Sequence, residues 1–352
     1  MKIAIISCYD QIDYIRTRVL RTAFASVPGV QTVIVKNTHK GLLRYLETPV
    51  KILRCKFRDK PDAYVVTFRG YEMLPFMLMV KGRKALIFDE MINPAEYLAE
   101  HGKVGLDSAA GKLFRKWYGS LLRRCRFVLA DTDAHAKLSA ELCNLDKQKF
   151  FTVPIGTDEA TFFPRGQRKR GKEFNVFYYG VMRRLHGFEY VLEAAVKLAD
   201  NPNVTFTFGG DKGKAEAACQ AAVAKGARIT YMPWVPYEDL PILASRSGLS
   251  LGGPFGKTFQ SQFIITTKTF QFLACRVPAL VGRNKVNEGF VDKKNCLIVP
   301  PNSAKAIEEA IRWAYAHPKE MDKIAAAGRE LYEEHFSQHL VNHKIATLVE
   351  AL

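Results

Sequence analysis

The stretch Phe263–Pro278, FIITTKTFQFLACRVP, reads as a loop to Thr266, a helix opened by threonines, and a strand beginning after Arg276. Phe270, Leu273, Ala274 and Val277 fall at i, i+3, i+4 and i+7, the spacing of a buried helical stripe. Lys268 and Gln271 stand three apart and share another face near the helix start. A helix N-terminus has unpaired N–H groups and positive dipole character, so this one, with its lysine, can hold a phosphate. An ordinary αβ unit of a parallel sheet, with threonine as cap, accounts for the same residues. The surrounding chain has to decide between the two.

Around this stretch, β-branched or apolar runs alternate with helical segments. Strands are expected at Asn175–Tyr179, Val204–Phe208, Ile229–Met232, Leu249–Leu251, Ala279–Val281 and Leu297–Val299. Helices are expected at Phe188–Leu198, Ala215–Val223, Leu240–Ser245, Lys268–Cys275 and Ala304–Ala316. The first half follows the same grammar, with strands at Ile3–Ser7, Thr32–Val35, Ala63–Phe68, Ala85–Phe88, Phe127–Ala130 and Phe150–Val153. Its helices are expected at Arg16–Phe24, Leu42–Leu46, Ala109–Leu122 and Ala134–Cys143. Alternation of this kind predicts parallel sheets covered on both faces. Arg165–Lys172, RGQRKRGK, is a linker by composition. The expected organisation is therefore α/β, with two doubly wound Rossmann-like domains facing a cleft. They span residues 1–165 and 173–335, and the last segment, 336–352, is expected as a helix packing back on the first domain. Ligands of such sheets bind outside the carboxyl ends of the strands.

Composition narrows the class. With 352 residues, 48% hydrophobic and 25% charged, the chain has core material for two domains. No apolar run approaches the roughly 20 residues needed to cross a bilayer, and MKIAIIS reads as a strand, so a cytoplasmic protein is expected. Seven scattered cysteines form no CxxC pair, which disfavours a zinc site and disulfides. Of the net charge of +17, residues 1–170 carry +13 and residues 171–352 carry +4. That excess concentrates in Lys51–Lys60, Lys81–Lys84, Lys112–Arg126 and Arg165–Lys172. A surface so charged attracts polyanions, nucleic acid or an anionic membrane leaflet. No nucleic-acid-binding module is visible, so nucleic acid is not expected as a partner. Leu113–Arg126, LFRKWYGSLLRRCR, mixes apolar and cationic residues at helical spacing and can rest on a membrane with Trp117 and Tyr118 at the interface. A core-packed helix with a basic edge fits the same pattern.

Gly180–Gly187, GVMRRLHG, joins a strand to a helix. Gly180 permits close backbone approach, Arg183 and Arg184 supply guanidinium groups for a phosphate, and His186 precedes the helix. The turn lacks the GKS or GKT of a Walker loop and is no GxGxxG, which excludes the usual signatures of ATP hydrolysis and of a nicotinamide cofactor.

Together these stretches resemble a GT-B-fold glycosyltransferase of the retaining family 4, the glycosyl transferases group 1. Val153–Pro164 (VPIGTDEATFFP) resembles that family's close of the first domain, and Tyr178–Leu198 resembles the glycine turn and helix that open its nucleotide domain. Ile229–Leu251 resembles the strand, turn and helix that follow. Thr267–Pro278, with Glu288 and Asn295–Pro300, resembles the donor-binding core. Before residue 153 the resemblance rests on Asp131–His135 and on general layout.

The resemblance implies a UDP- or GDP-sugar donor as substrate and no further cofactor; with the charge excess of the first half, the expected acceptor is a cell-surface polysaccharide or glycolipid, glycan or lipid-linked, met at the inner face of a membrane. The resemblance places Gly180 beside the diphosphate, the Thr267–Thr269 amides against a phosphate and Gln271 toward the ribose. With these, Arg183, Arg184, Gly209, Lys268 and Glu288 make up the expected donor site. Asp89 and Glu90, at the end of a first-domain strand, and His186 are the candidate catalytic residues. No metal is expected: Asp131 and Asp133 have DxD spacing but read as helix caps. The chain departs from the family at Phe263 and Gln271, where many members place two glutamates. Val181 replaces a usual arginine, and His186 a usual lysine. Those departures suit a branch lacking the paired glutamates. They also leave room for a non-catalytic nucleotide-sugar-binding or regulatory protein on the same scaffold. Arg276 stands where a glycine commonly ends the helix.

Overall fold

The computed structural model describes residues 1–9, 14–165, 173–286 and 289–352. These form two compact units, Met1–Gly156 with Ser337–Leu352, and Thr157–Phe336. Most of the basic linker stretch 165–172 lies outside the described residues.

In chain order, the first unit runs β1 (Lys2–Ser7), α1 (Ile15–Ser26), β2 (Gln31–Lys36), α2 (Arg44–Arg58), β3 (Ala63–Val66), α3 (Leu74–Val80), β4 (Ala85–Asp89), α4 (Pro94–Glu100), α5 (Ala109–Arg123), β5 (Phe127–Ala130), α6 (Asp133–Cys143) and β6 (Phe150–Thr152). Its six strands pair in parallel in the order β2-β1-β3-β4-β5-β6. Successive side chains of a strand point to opposite faces, and the cores divide accordingly. Ala4, Ile6, Tyr64, Val66, Leu86 and Phe88 face one core, built with α2, α3, α5 and α6. Ile3, Ile5, Ala63, Val65, Ile87 and Leu129 face the other, against Val19, Leu20, Ala23 and Phe24 of α1. One helix cannot cover that second face. α13 (Gln338–Glu350) supplies the rest through Val341, Ile345 and Leu348, and Gln338 Nε2 donates to the Val19 carbonyl at 3.2 Å.

The second unit runs β7 (Phe174–Tyr179), α7 (Phe188–Lys197), β8 (Val204–Gly209), α8 (Glu216–Ala224), β9 (Ile229–Met232), α9 (Leu240–Arg246), β10 (Leu249–Leu251), α10 (Thr267–Ala274), β11 (Ala279–Gly282), β12 (Leu297–Val299), α11 (Ala304–Ala316) and α12 (Pro318–His335). Its parallel order is β12-β11-β10-β7-β8-β9. In each sheet the chain starts in the interior and winds outward both ways. Strand order reverses between β1 and β3 in the first unit, and between β7 and β10 in the second. Those crevices are where a doubly wound sheet takes ligands.

The twelve expected strands all form, within one or two residues at their ends. Helices differ more. α2 continues to Arg58, well past the expected Leu46, and carries Pro49 inside it, a residue that ordinarily ends a helical pattern just before it. Arg276 ends α10 with φ +57°, the left-handed conformation that usually falls to glycine, while the Arg276 and Val277 N–H groups close the helix on the Leu273 and Phe272 carbonyls at 2.9 Å each.

Candidate functional site

In the second unit, the reversal brings together the ends of β7 and β10 and the start of α10. Gly180 follows β7 with φ +118°, a backbone conformation open to glycine, and its N–H donates to the Gly209 carbonyl at 2.9 Å. A Cβ on Gly180 would lie 3.7 Å from the Lys268 ammonium. Lys268 is 6% exposed, its Nζ is 4.3 Å from the centroid of the Tyr178 ring, and it has no carboxylate partner among the described residues. Burial alone lowers its pKa from 10.5 to about 7. Burying an uncompensated ammonium costs free energy that a bound anion would recover.

The α10 start adds to this. Thr266, its N-cap, turns its hydroxyl to the Gly252 carbonyl at 2.7 Å and does not cap the helix. The Thr267 and Lys268 N–H groups therefore have no partner among the described residues. The expectation for the third amide needs correcting: Thr269 N–H donates to the Thr266 carbonyl at 2.9 Å, and Thr269 itself is buried. α10 is buried all round, not along one stripe, which is how Lys268 and Gln271 come to lie inside. Gln271 Oε1 accepts the Tyr179 hydroxyl, so a ribose would compete with that bond. Phe263 packs on Phe259, and the Lys285 ammonium lies 4.8 Å from its ring centroid, so an apolar contact occupies the position where the resemblance implies an acid.

Arg183 and Arg184 are exposed at the turn after Gly180. His186 N–H donates to the Arg183 carbonyl, and the His186 carbonyl accepts Phe255 N–H at 3.1 Å, which ties this turn to the loop after β10. Burial, then the charges of Lys268 and Arg183, hold the His186 imidazole well below its usual pKa, and its Nδ1 has no partner among the described residues. It is a neutral imidazole beside Lys268 and Arg183. Gly209 is a packing glycine: a Cβ there would stand 2.8 Å from Val235 Cγ2. Two residues that follow the ends of β8 and β9 escaped the sequence reading. Gly210, φ +102°, closes on the Gly180 backbone, and Trp234, 67% exposed, follows β9. The double glycine signalled the first; nothing in the residue pattern signalled the second. Glu288 lies outside the described residues.

In the first unit the expected catalytic pair is internal. Asp89, fully buried at the end of β4, accepts Arg16 Nε at 3.1 Å and Nη2 at 3.0 Å, while Arg16 Nη1 donates to the Val153 and Pro154 carbonyls. Glu90 accepts Ser139 Oγ at 2.6 Å and Asn93 Nδ2 at 3.1 Å, and burial raises its pKa to about 7. Neither carboxylate meets solvent. Asp131 is not a cap either: its Oδ1 meets His135 Nδ1 at 2.9 Å, and Thr132 caps α6. The groups at the first unit's reversal are others. Ser7 and Thr67 hydroxyls meet at 2.9 Å, Phe68 packs against Tyr9 and Tyr14, and the Arg69 guanidinium lies 5.5 Å from the Tyr9 and 5.1 Å from the Tyr97 ring centroids.

Residues 183–350 match a family model described as glycosyl transferase-like. Among solved structures, the whole chain superposes on Anabaena HepE, solved with UDP, with a TM-score of 0.74 over 100% of both chains at 11% identity. Sucrose-phosphate synthase from Thermosynechococcus elongatus gives 0.77 over 100% of this chain and 98% of that one, at 16% identity. A glycosyltransferase from Rickettsia africae gives 0.70 over 99% and 97%, at 12%. A comparison with curated proteins finds no match.

Proposed function

We propose that this chain, a glycosyltransferase of the GT-B fold, moves a sugar with retention of configuration from a UDP- or GDP-sugar to a glycan or lipid-linked acceptor, working in the cytoplasm at the inner face of a membrane in the assembly of cell-surface polysaccharide or glycolipid. One observation carries the donor half of this reading: the buried Lys268 ammonium beside Gly180 and the Thr267 and Lys268 N–H groups of α10, none of them with an acidic or hydrogen-bonding partner among the described residues. Anabaena HepE, with which the chain shares its fold, has been solved with UDP-glucose.

Breaking the sugar–phosphate bond builds negative charge on the leaving diphosphate, and fixed cations and N–H groups aimed there lower the barrier. Lys268 and the Thr267 and Lys268 amides supply the fixed part, and Arg183 and Arg184 close over it from the exposed turn. His186, neutral at working pH, is a hydrogen-bonding group for the sugar and not a cation. Trp234 offers an aromatic face to the nucleobase. The acceptor meets the Tyr9, Tyr97 and Arg69 cluster, which leaves Asp89 and Glu90 to hold β4 in place from within.

The test is a transfer assay with UDP- and GDP-sugars, short glycans and lipid-linked acceptors, reading the product's anomeric configuration by NMR. Transfer with retention supports the reading, and an inverted product overturns its stereochemical part. A second reading, a non-catalytic nucleotide-sugar-binding or regulatory protein, is favoured by Phe263 and Gln271, which replace acids with a packed ring and an engaged amide. Nucleotide binding with no turnover on any acceptor would select it.

A further inference from the structure

α2 turns two apolar faces outward and inward at once. Thr48, Ile52 and Cys55 are buried against the sheet. On the opposite side, Leu46 (72% exposed), Val50 (65%), Leu53 and Phe57 (69%) follow at i, i+4, i+7 and i+11, which at 100° per residue is one straight stripe. The turn leading into the helix extends it with Leu42 (83%) and Leu43. A core helix needs one apolar stripe, and six large apolar side chains aligned in water form a patch that a soluble monomer seldom exposes.

Charge flanks the stripe. Arg54, Lys56 and Lys60 lie along it and Lys40 precedes it, and none has an acidic partner among the described residues. The acidic residues within α2 and at its end are already neutralised, Glu47 by Lys51 and Asp59 by Arg58. Lys56 Nζ lies 5.7 Å from the centroid of the Phe57 ring, an apolar stem with its charge at the edge of the patch. α3 packs against both α2 and α5, and the same helical layer exposes Met79, Leu113 and Trp117. Tyr118, expected at an interface, is buried in the core of this layer, so α5 contributes less than its sequence suggested.

We infer that the Leu42–Phe57 stripe is a docking surface for an anionic lipid bilayer, α2 lying in the plane of the interface with its apolar side chains among the acyl chains and its cations at the headgroups. Charge complementarity selects this occupant. A second copy of the chain would bring the same cations face to face across a twofold axis, which like-charge repulsion opposes. The inference deepens the membrane-proximal part of the function proposed above and rests on it for its purpose, though its surface is separate from the donor site.

Flotation of the full chain with vesicles tests it, using phosphatidylcholine alone and phosphatidylcholine mixed equally with phosphatidylglycerol. The expected result is binding to the anionic vesicles that falls with salt and is lost in the L46S/V50S/F57S variant. The R54E/K56E/K60E variant should bind roughly 100-fold more weakly, from about a factor of five per cation lost. All six side chains point away from the core, and both variants should melt with the wild type. Absent binding by the wild type, or equal binding by a folded stripe variant, overturns the inference. So does a wild-type dimer in light scattering that the stripe variant dissolves while neither form binds vesicles. UDP and GDP titrations of the same proteins separate the two ideas: vesicle binding without nucleotide binding sinks the donor reading and leaves this surface standing.

Discussion

Replacing Lys268 by methionine should make the empty protein more stable and the donor bind worse. The ammonium is buried with no carboxylate partner among the described residues, and its pKa falls from 10.5 to about 7. At 1.36 kcal/mol per unit, the empty site penalises the charged form by roughly 5 kcal/mol, an upper bound because the surroundings relax. Methionine keeps the length and the contact with Tyr178 and removes the charge. We expect a gain of about 1–4 kcal/mol near pH 7, or about 2–4 °C in melting temperature per kcal/mol for a unit of this size. The gain depends on pH with a defined sign. A lysine whose folded pKa is depressed binds fewer protons folded than unfolded between pH 7 and 10.5, so wild-type stability rises across that window. The variant should lack that rise, and its advantage should shrink toward pH 10. For the donor, losing one charge-assisted contact costs about 1.5–3 kcal/mol, roughly a 10- to 150-fold weaker affinity for UDP or GDP. Thermal melts at pH 7 and 9.5 and calorimetric titration read the two effects. Stability and affinity falling together would make Lys268 a structural residue. Unchanged affinity would place the donor elsewhere.

Gly180→Ala forces a β-carbon onto a backbone at φ +118°, a strain of about 1–3 kcal/mol, and should lower both the melting temperature and the affinity for nucleotide. A variant with wild-type melting and affinity would remove the turn from the site. Glu90→Gln should alter stability only as a function of pH. With its folded pKa raised from 4.5 to about 7, Glu90 binds more protons folded than unfolded, so its contribution falls as pH rises through that window, by up to roughly 3 kcal/mol. The difference between wild-type and variant denaturation curves at pH 4.5 and 7.5 measures it, and an unchanged difference would show that Glu90 titrates normally.

Both sheets were legible because a parallel strand buried on both faces is a nearly continuous apolar run: KIAIIS and FNVFYY announce β1 and β7 without help from their neighbours. α2 was cut short at Leu46 because Pro49 follows three residues on, and a proline ordinarily ends a helical pattern, whereas here the helix runs on through it to Arg58. The turn after β7 and the start of α10 could be read from Gly180, Arg183 and Lys268 because glycine, cations and a helix start are local signals. What each side chain does was not local. Asp89 and Glu90 stand at a strand end as a catalytic pair would, but Arg16 and Ser139, far off in sequence, claim them. Thr269 looked like a phosphate ligand until its N–H was found closing the first turn. Tyr118 belonged to an amphipathic pattern whose phase, set by packing, turns it inward.

The central claim, that the second unit holds a nucleoside diphosphate on the Lys268 ammonium, meets its most direct test in a UDP and GDP titration at pH 8 in two buffers of different ionisation enthalpy. With a pKa of about 7 in the empty protein, Lys268 is roughly nine-tenths neutral at that pH, and a bound diphosphate should recharge it. The account predicts uptake of about 0.9 proton per nucleotide bound, absent in the methionine variant. Binding with no proton uptake, or no binding of either nucleotide, would contradict it.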